Sequence, residues 1–513
     1  MAVTNDRKFT KEQLSLRLSK AVGRTLGEVD ERGVFGKMKG HEKVTGIAGD
    51  VVEQSVLGYE KDSKQECDIE IDGMLWEVKT TGVRVPKGDY DKANGKTGKA
   101  YNIYLHAKEG VSITHVTFEP TIELDFQNSH FWEKSEHLLL VLYEYKSYDV
   151  VPAAGYASFP IVDYWLNEFS ETEVCQLRND WNLVRDYLQM VYDAYPDAEE
   201  RAEKLVGFTH ILRPDLLLME LVPGFKRRET GSYQKPRYRL KQTFVDYLVR
   251  GHFNNERGNN EIQLPEAFTS FDELRVRCSA IAKKYAGKTL SELQKALGIE
   301  SGLETKDMAA KCIVRMFGTD CERLNDIADF TKAGIIAKTI TITPDGGRTE
   351  DMKLQHIDFD EWASREIDFE ESEVYGYFNG HTFLCPIFCE YDDKEDSSIT
   401  FLGFKRLAFD EEFIQHEVRR TWNDSRGLIH GNLLKWEYRY DKNGEKRMNG
   451  QGCYMGAPNF PKSSEYAVFF RGGARVSNEK TRTECVNGIR MLPQFFWIKG
   501  TYITQKLNEI PFL

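Results

Sequence analysis

Cys67 to Thr81, read CDIEIDGMLWEVKTT, is the stretch that decides the fold of this chain. Apolar and polar residues alternate through it, the period of a β-strand with one face buried. Ile69 and Ile71 share one face, and Asp68 and Glu70 share the other. Asp72-Gly73 supplies the two-residue turn of a hairpin, where both positions need positive φ. On the return strand Trp76 and Val78 take the apolar side, and Glu77 and Lys79 the other. Counting back from the turn sets Asp68 directly across from Glu77. The pattern therefore predicts that Asp68, Glu77 and Lys79 converge at an exposed edge of a small sheet.

Two carboxylates are hard oxygen donors of the kind Mg²⁺ takes while keeping several waters. A lysine beside them can hold a water, or help to deprotonate it, for attack on phosphorus, while the metal stabilises charge on the phosphoryl oxygens. An Asp followed by Glu-x-Lys on the next strand is the metal site of many DNA-cutting enzymes. The plainer alternative is a hairpin with a solvated charged face.

The 513 residues exceed what one core supports, so two or more domains are expected. With 41% hydrophobic residues the chain can bury sizeable cores. No apolar run is long enough to span a membrane; Leu138 to Tyr143 (LLLVLY) fits a buried strand. The N-terminus lacks the apolar core of a secretory signal. Nine cysteines, odd in number and scattered, point to a reducing cytoplasm. Cys385 and Cys389 have no second pair that would make a zinc site. The net charge of −12 says little about nucleic acid when cations are clustered. Between Gly224 and Gln242 stand Lys226, Arg227, Arg228, Lys235, Arg237, Arg239 and Lys241, against the single acid Glu229. With Phe225, Tyr233 and Tyr238 interleaved, this reads as a phosphate-facing surface rather than a solubilising loop.

Taken in order, Thr10 with Gln13 makes a capping box opening a helix through Leu14, Leu18 and Val22. A second helix runs from about Thr45 to Gly58 and carries Glu53. Strands are expected at Tyr101 to Ala107, Ile113 to Leu124 and His137 to Tyr145. Ser170 with Glu173 caps a long helix, Arg239 to Val249 reads as another, and residues 251–270 as a linker. The chain then begins again. Ala282 to Leu293 echoes Leu18 to Val29 through a shared Gly-x-Thr-Leu-x-Glu, and Asp307 to Gly318 echoes Ile47 to Gly58. Thr382 to Tyr391 echoes Glu136 to Tyr145, Arg419 to Trp422 echoes Arg178 to Trp181, and Phe496 to Tyr502 echoes Tyr238 to Phe244. Several weak echoes in one order indicate a tandem duplication of about 240 residues. In the second copy the hairpin corresponds to Asp329 to Ile342, where Ile336 replaces Glu77 and Ile313 replaces Glu53. That copy is expected to be catalytically silent.

The chain resembles the MutH mismatch-repair endonucleases and, in tandem form, the restriction endonucleases of the Sau type that cut GATC. The resemblance is carried by Thr25 to Glu28 (TLGE), Gly49 to Glu53 (GDVVE), the hairpin ending EVKTT, Lys134 before the LLLVLYEY strand, and Arg239 to Phe244 (RLKQTF). It implies an α/β fold of two MutH-like restriction-endonuclease domains, each a mixed sheet flanked by helices, the second catalytically degenerate. Residues 1–250 would form the catalytic domain and residues 271–513 a pseudo-catalytic, DNA-binding or allosteric one. Carried over by position, the catalytic set is Glu53, Asp68, Glu77, Lys79 and Lys134, with Asp68, Glu77 and Glu53 as metal ligands and Lys134 on the scissile phosphate. The chain departs from the family in a longer gap between Asp68 and Glu77, which makes Glu70 a rival first ligand. It departs again at Arg213-Pro214, where Asp215 stands in place of the recognition-loop lysine.

These readings predict a Mg²⁺-dependent type II restriction endonuclease, with Mn²⁺ able to substitute. It would cut double-stranded DNA at GATC or a related short palindrome, leaving 5′-phosphates. Arg471, Arg475 and Lys499 join the cations above as DNA contacts. A cognate DNA methyltransferase and a DNA-induced dimer or loop are the expected partners, with no membrane. The alternatives are a non-cleaving DNA-binding or regulatory protein, a nicking repair endonuclease, and an RNA or structure-specific nuclease. His41, His106 and His137 are read as structural, because metal-assisted hydrolysis with a lysine needs no histidine.

Overall fold

A computed structural model describes residues 7–37, 46–60, 66–147, 151–226, 233–254, 262–300, 305–348, 350–391, 399–474 and 476–513. Their described residues fall into two compact units. The first gathers residues up to Ser147, then Val151–Val276 and Cys321–Ile335; the second gathers Arg277–Asp320 and Ile336–Leu513. The chain is a mixed α/β protein in both.

The first unit is built on a six-stranded sheet of β1 (Lys8–Phe9), β2 (Ile69–Ile71), β3 (Met74–Arg84), β4 (His106–Ala107), β6 (His137–Glu144) and β7 (Ile161–Glu168). The strand order is β1-β2-β3-β6-β7, with β4 also paired to β3. β3 and β6 are parallel, and β7 closes back antiparallel. Leu138 to Tyr143 are buried on both faces, which is why β6 reads as an unbroken apolar run. The helix Lys11–Ala21 opens on the Thr10/Gln13 capping box, and Glu171–Ala194 on the Ser170/Glu173 box. A second, three-stranded sheet runs β5 (Val111–His115), β11 (Arg237–Leu240), β8 (Met219–Val222). A ribbon pairs β9 (Phe225–Lys226) with β10 (Tyr233–Gln234).

The second unit likewise has a main sheet and a three-stranded sheet. Its main sheet comprises β12 (Ile335–Ala337), β13 (Ile340–Ile342), β15 (Thr382–Cys389) and β16 (Thr400–Leu407). A three-stranded sheet runs β14 (Met352–His356), β22 (Gln494–Ile498), β19 (Val468–Gly472). Two ribbons complete it, β17 (Trp436–Tyr438) with β18 (Gly456–Pro458), and β20 (Glu484–Val486) with β21 (Ile489–Met491). One corner has the same backbone bonds in both units. Thr25/Glu28 and Thr289/Glu292 form capping boxes. Gly23 N–H donates to Ile161 O, and Gly287 N–H to Phe401 O, each at 2.8 Å. Leu26 N–H donates to Phe159 O at 2.8 Å, and Leu290 N–H to Ile399 O at 2.9 Å.

Several expectations need correction. Residues 101–107 hold the end of a helix, Lys99–Asn102, and only two strand residues. The strand expected through Leu124 stops at His115, and Phe118–Glu123 is helical. Arg239 lies in β11, and the helix after it is Gln242–Asn254. The linker reading fails on both described flanks: the helix runs through Asn254, and Leu264 and Phe268 are buried. Gln176 donates to Phe268 O at 2.7 Å, and Leu264 N–H to the Asp329 carboxylate at 3.0 Å.

Candidate active site

The hairpin forms as its alternation dictates. Asp72 and Gly73 have φ of 49° and 88°, the left-handed pair a two-residue turn requires. Ile69 pairs with Trp76 and Ile71 with Met74, so Asp68 stands opposite Glu77 by extension of that register. Asp68 caps the end of the ladder: its Oδ2 accepts Val78 N–H at 2.9 Å. The longer hairpin leaves Glu70 nearer the turn, where it pairs with Lys8 at 2.9 Å, so Asp68 is the carboxylate beside Glu77.

The expectation of an exposed edge is overturned. β3 is an interior strand, and Glu77 is only 4% exposed because β6 lies alongside, with Leu138 paired to it. Both Glu77 oxygens are taken: Oε1 by Lys79 Nζ and Oε2 by Lys134 Nζ, each at 2.8 Å. Lys134 ends the short helix His130–Glu133; it is buried and also donates to Glu66 O. It is thus occupied in holding Glu77, not open to a phosphate.

Glu53 arrives from the other side. Ile47–Val51 is α-helical, but Val52–Leu57 widens into a π-turn. Such π-turns are frequent at functional sites. Glu53 Oε1 and Thr80 Oγ1 lie 3.8 and 3.6 Å from where a Cβ on Gly49 would stand, so Glu53 and β3 meet beside Gly49.

Burial and the neighbouring Glu77 push the Asp68 carboxyl up to about 6, against the pull of Lys79 and Lys134. Burial works against the Lys79 ammonium, but Glu77, Asp68 and Glu53 override it and hold the group above its ordinary value. A charged Lys79 can orient a water. Among the described residues no three His, Cys, Asp or Glu side chains stand close enough to enclose a metal ion, so Asp68, Glu77 and Glu53 do not form a closed cage. Two adjacent carboxylates, one with its charge disfavoured by burial and by its neighbour, are a donor set that fits Mg²⁺ retaining most of its water.

A pH dependence follows. With its folded value raised, Asp68 favours the apo fold below about pH 4 and progressively less as pH rises through about 6. A cation competes with that proton. Mg²⁺ is therefore expected to raise the melting temperature clearly at pH 8 and hardly at pH 5; equal shifts at both would contradict it.

The cations divide. Lys235 is exposed and Arg237 half-buried, with no carboxylate paired to either among the described residues. Burial and Arg239 lower Arg237, and burial, Arg237 and Lys235 lower His115, paired to Arg237 across β5 and β11. His115 was not expected; only the strand pairing brings it in. Arg239 is tied to Glu220 at 2.7 Å. Lys241 is buried, donates to Leu216 O and faces Asp180, so its expected DNA contact is withdrawn. The Lys226 main chain lies in β9, while Arg227, Arg228 and Arg475 lie outside the described residues. Arg471 pairs with Asp351 at 2.6 Å, and Lys499 stands at the N-cap position of the helix Gly500–Glu509 with no side-chain capping bond. His106 is held by Asp246, and His137 packs on Trp76; His41 lies outside the described residues.

Asp329, expected to open the hairpin of the second copy, is not on a hairpin. It sits on the helix Ala328–Lys332, which belongs with the first unit. β15 and β16 carry a bulge between Ile387 and Phe388, opposite Phe401, as β6 and β7 do between Leu142 and Tyr143, opposite Ile161. Matching the bulges puts Thr382 at the place of His137, one residue from the alignment expected. Ile340, paired to Ile387, then takes the place of Thr81, paired to Leu142. Counting back, Lys338 stands for Lys79 and Ile336 for Glu77.

Residues 57–180, which include the hairpin, Lys134 and the start of the long helix, match the family described as DNA mismatch repair enzyme MutH. Those residues are thus similar to a MutH domain. Over 98% of its length it is also 21% identical to the type II restriction enzyme Sau3AI of Staphylococcus aureus, across 99% of that protein.

Proposed function

We propose that this protein is a type II site-specific endonuclease that cuts both strands of DNA at GATC or a related short palindrome, leaving 5′-phosphates. The observation that carries the reading is Glu77, fixed on an interior strand between two lysines with Asp68 beside it. The MutH-family match over that site and the full-length similarity to a restriction enzyme support it.

Asp68 and Glu77 would hold Mg²⁺, or Mn²⁺ in its place, with Glu53 ordering the water around it. The ion, when bound, supplies positive charge to the phosphoryl oxygens and a more acidic water. Lys79 keeps its charge and aims the water, and Lys134 holds Glu77 in register. Lys235, Arg237 and His115 would take backbone phosphates, since most protein–DNA hydrogen bonds go to the backbone. Arg237→Ala is expected to weaken binding to all sequences alike and to reduce the salt-dependence slope by about 1, read from gel shifts across a salt series. A sequence-dependent loss would mean base reading instead.

The second unit reads as a duplicate that has lost its chemistry, since Ile336 and Ile313 cannot hold a cation, and it would serve DNA binding or regulation. A cognate methyltransferase and a DNA-bridged assembly fit that role. End-labelled duplexes with and without unmethylated GATC, incubated with Mg²⁺, test the function. Paired cuts within the GATC duplex alone support it; uncut duplexes throughout move the target to another palindrome.

A further inference from the structure

Between the helix Arg419–His430 and β19, residues 435–459 of the second unit fold back on themselves as a lobe. β17 and β18 form its stem, closed at the base where Lys435 N–H donates to Asn459 Oδ1 at 2.8 Å and Asn459 N–H to Lys435 O at 3.0 Å. Past the stem three stretches of backbone bond in a ring. Arg447 N–H donates to Arg439 O and Met455 N–H to Arg447 O, both at 2.8 Å, and Arg439 N–H to Met455 O at 2.9 Å. Two tight turns join them. Asp441 Oδ1 accepts the N–H groups of Asn443 and Glu445 at 2.8 and 3.0 Å, and Asn449 Oδ1 those of Gln451 and Cys453 at 3.0 Å. Main-chain and turn bonds thus set the shape of the lobe, and its long side chains are left to solvent.

The charges on it are sorted. Glu437 pairs with Lys462 and, at 4.0 Å, with Lys435, while Asp441 serves its own turn. Arg439, Lys442 and Arg447 are exposed, with no carboxylate paired to any of them among the described residues. Lys446 is exposed too, its ammonium 3.8 Å from the centre of the Tyr438 ring. Glu445 is the remaining acid of the lobe. Arg439 also lines a cleft of about 510 Å³ together with Lys462 and Arg471. Unpaired cations held on one ordered surface, in a chain of net charge −12, are complementary to a polyanion.

We propose that this lobe is a DNA contact of the second unit, with Arg439, Lys442 and Arg447 taking backbone phosphates of a duplex whatever its sequence. Guanidinium groups match phosphate oxygens in pairs, and the lysine adds a point charge. The proposal rests on the DNA-binding reading of the second unit and does not need the hairpin centre to cut.

Anisotropy of a labelled DNA duplex lacking GATC, titrated with the full chain in EDTA across a salt series, tests it. The combined variant Arg439→Gln, Lys442→Gln, Arg447→Gln is expected to lower the salt-dependence slope by about 2–3, with the melting temperature unchanged. Glu445→Lys is expected to raise that slope by about 1 and to tighten binding, a gain that damage to the fold does not produce. A parental slope in the combined variant overturns the proposal, as does a loss seen on an RNA duplex but not on DNA. A lowered melting temperature in the combined variant with no tightening by Glu445→Lys also overturns it. If the parental protein binds DNA with these dependences yet leaves plasmid uncut in Mg²⁺, the endonuclease reading falls and the lobe stands. A parental protein that does not bind the duplex overturns the lobe.

Discussion

Glu77→Gln is expected to lower Mg²⁺-dependent cleavage by about three orders of magnitude or more, the scale of losing a group that acts on the transition state. The amide keeps the shape of the side chain but brings one N–H₂ against an ammonium where an oxygen now accepts from Lys79 or Lys134. It also removes a charge that a cation needs. Glutamine is the sharper probe than alanine. Glu77→Ala would leave Lys134 buried without its counter-charge, at a cost of about 3–5 kcal/mol, and confuse lost chemistry with lost fold. DNA binding in EDTA should persist in the glutamine variant. Cleavage at the parental rate would remove Glu77 from the mechanism.

The second large effect lies outside the hairpin. Asp180, on the helix Glu171–Ala194, is buried and its two oxygens accept N–H bonds from Leu217, Leu218 and Met219 at 2.8 to 2.9 Å. One carboxylate therefore anchors the strand entering β8 and, through β11, the sheet that presents Arg237. Burial pushes its carboxyl up to about 6 in spite of those donors and Lys241. Asp180→Ala strands three buried donors and a buried lysine. The expected loss is about 3–5 kcal/mol, or roughly 10 °C in melting temperature for a unit of this size. A thermal melt showing less than about 2 °C of change would contradict this anchoring, on the same scaling.

What was legible in the sequence was what local periodicity controls. Residues 67–81 specify their own hairpin, and two residue pairs specify the caps of the long helices. The site beyond Asp68, Glu77 and Lys79 was not derivable from alternation. Glu53 and Lys134 come from elements remote in sequence and entered through resemblance. The exposed edge was misjudged because the parallel pairing of β3 with β6 joins segments about 60 residues apart and leaves no mark on the hairpin itself. The strand expected through Leu124 broke where Thr117 ends the extended run and a helix starts. The basic stretch misled at Arg239 and Lys241, where position on a strand or in the core, not charge, decides the partner. Asp180 did carry a signal: it falls on the same stripe as Leu177, Trp181 and Val184, where an acid must be paired.

The central claim is that the hairpin centre hydrolyses DNA with a bound divalent cation. Supercoiled, unmethylated plasmid incubated with the full chain and Mg²⁺, beside a reaction in EDTA, tests it most directly. Discrete linear fragments with 5′-phosphate ends, in Mg²⁺ alone, are the predicted result. Plasmid left intact in Mg²⁺ while gel shifts persist in EDTA would contradict it and leave a DNA-binding protein.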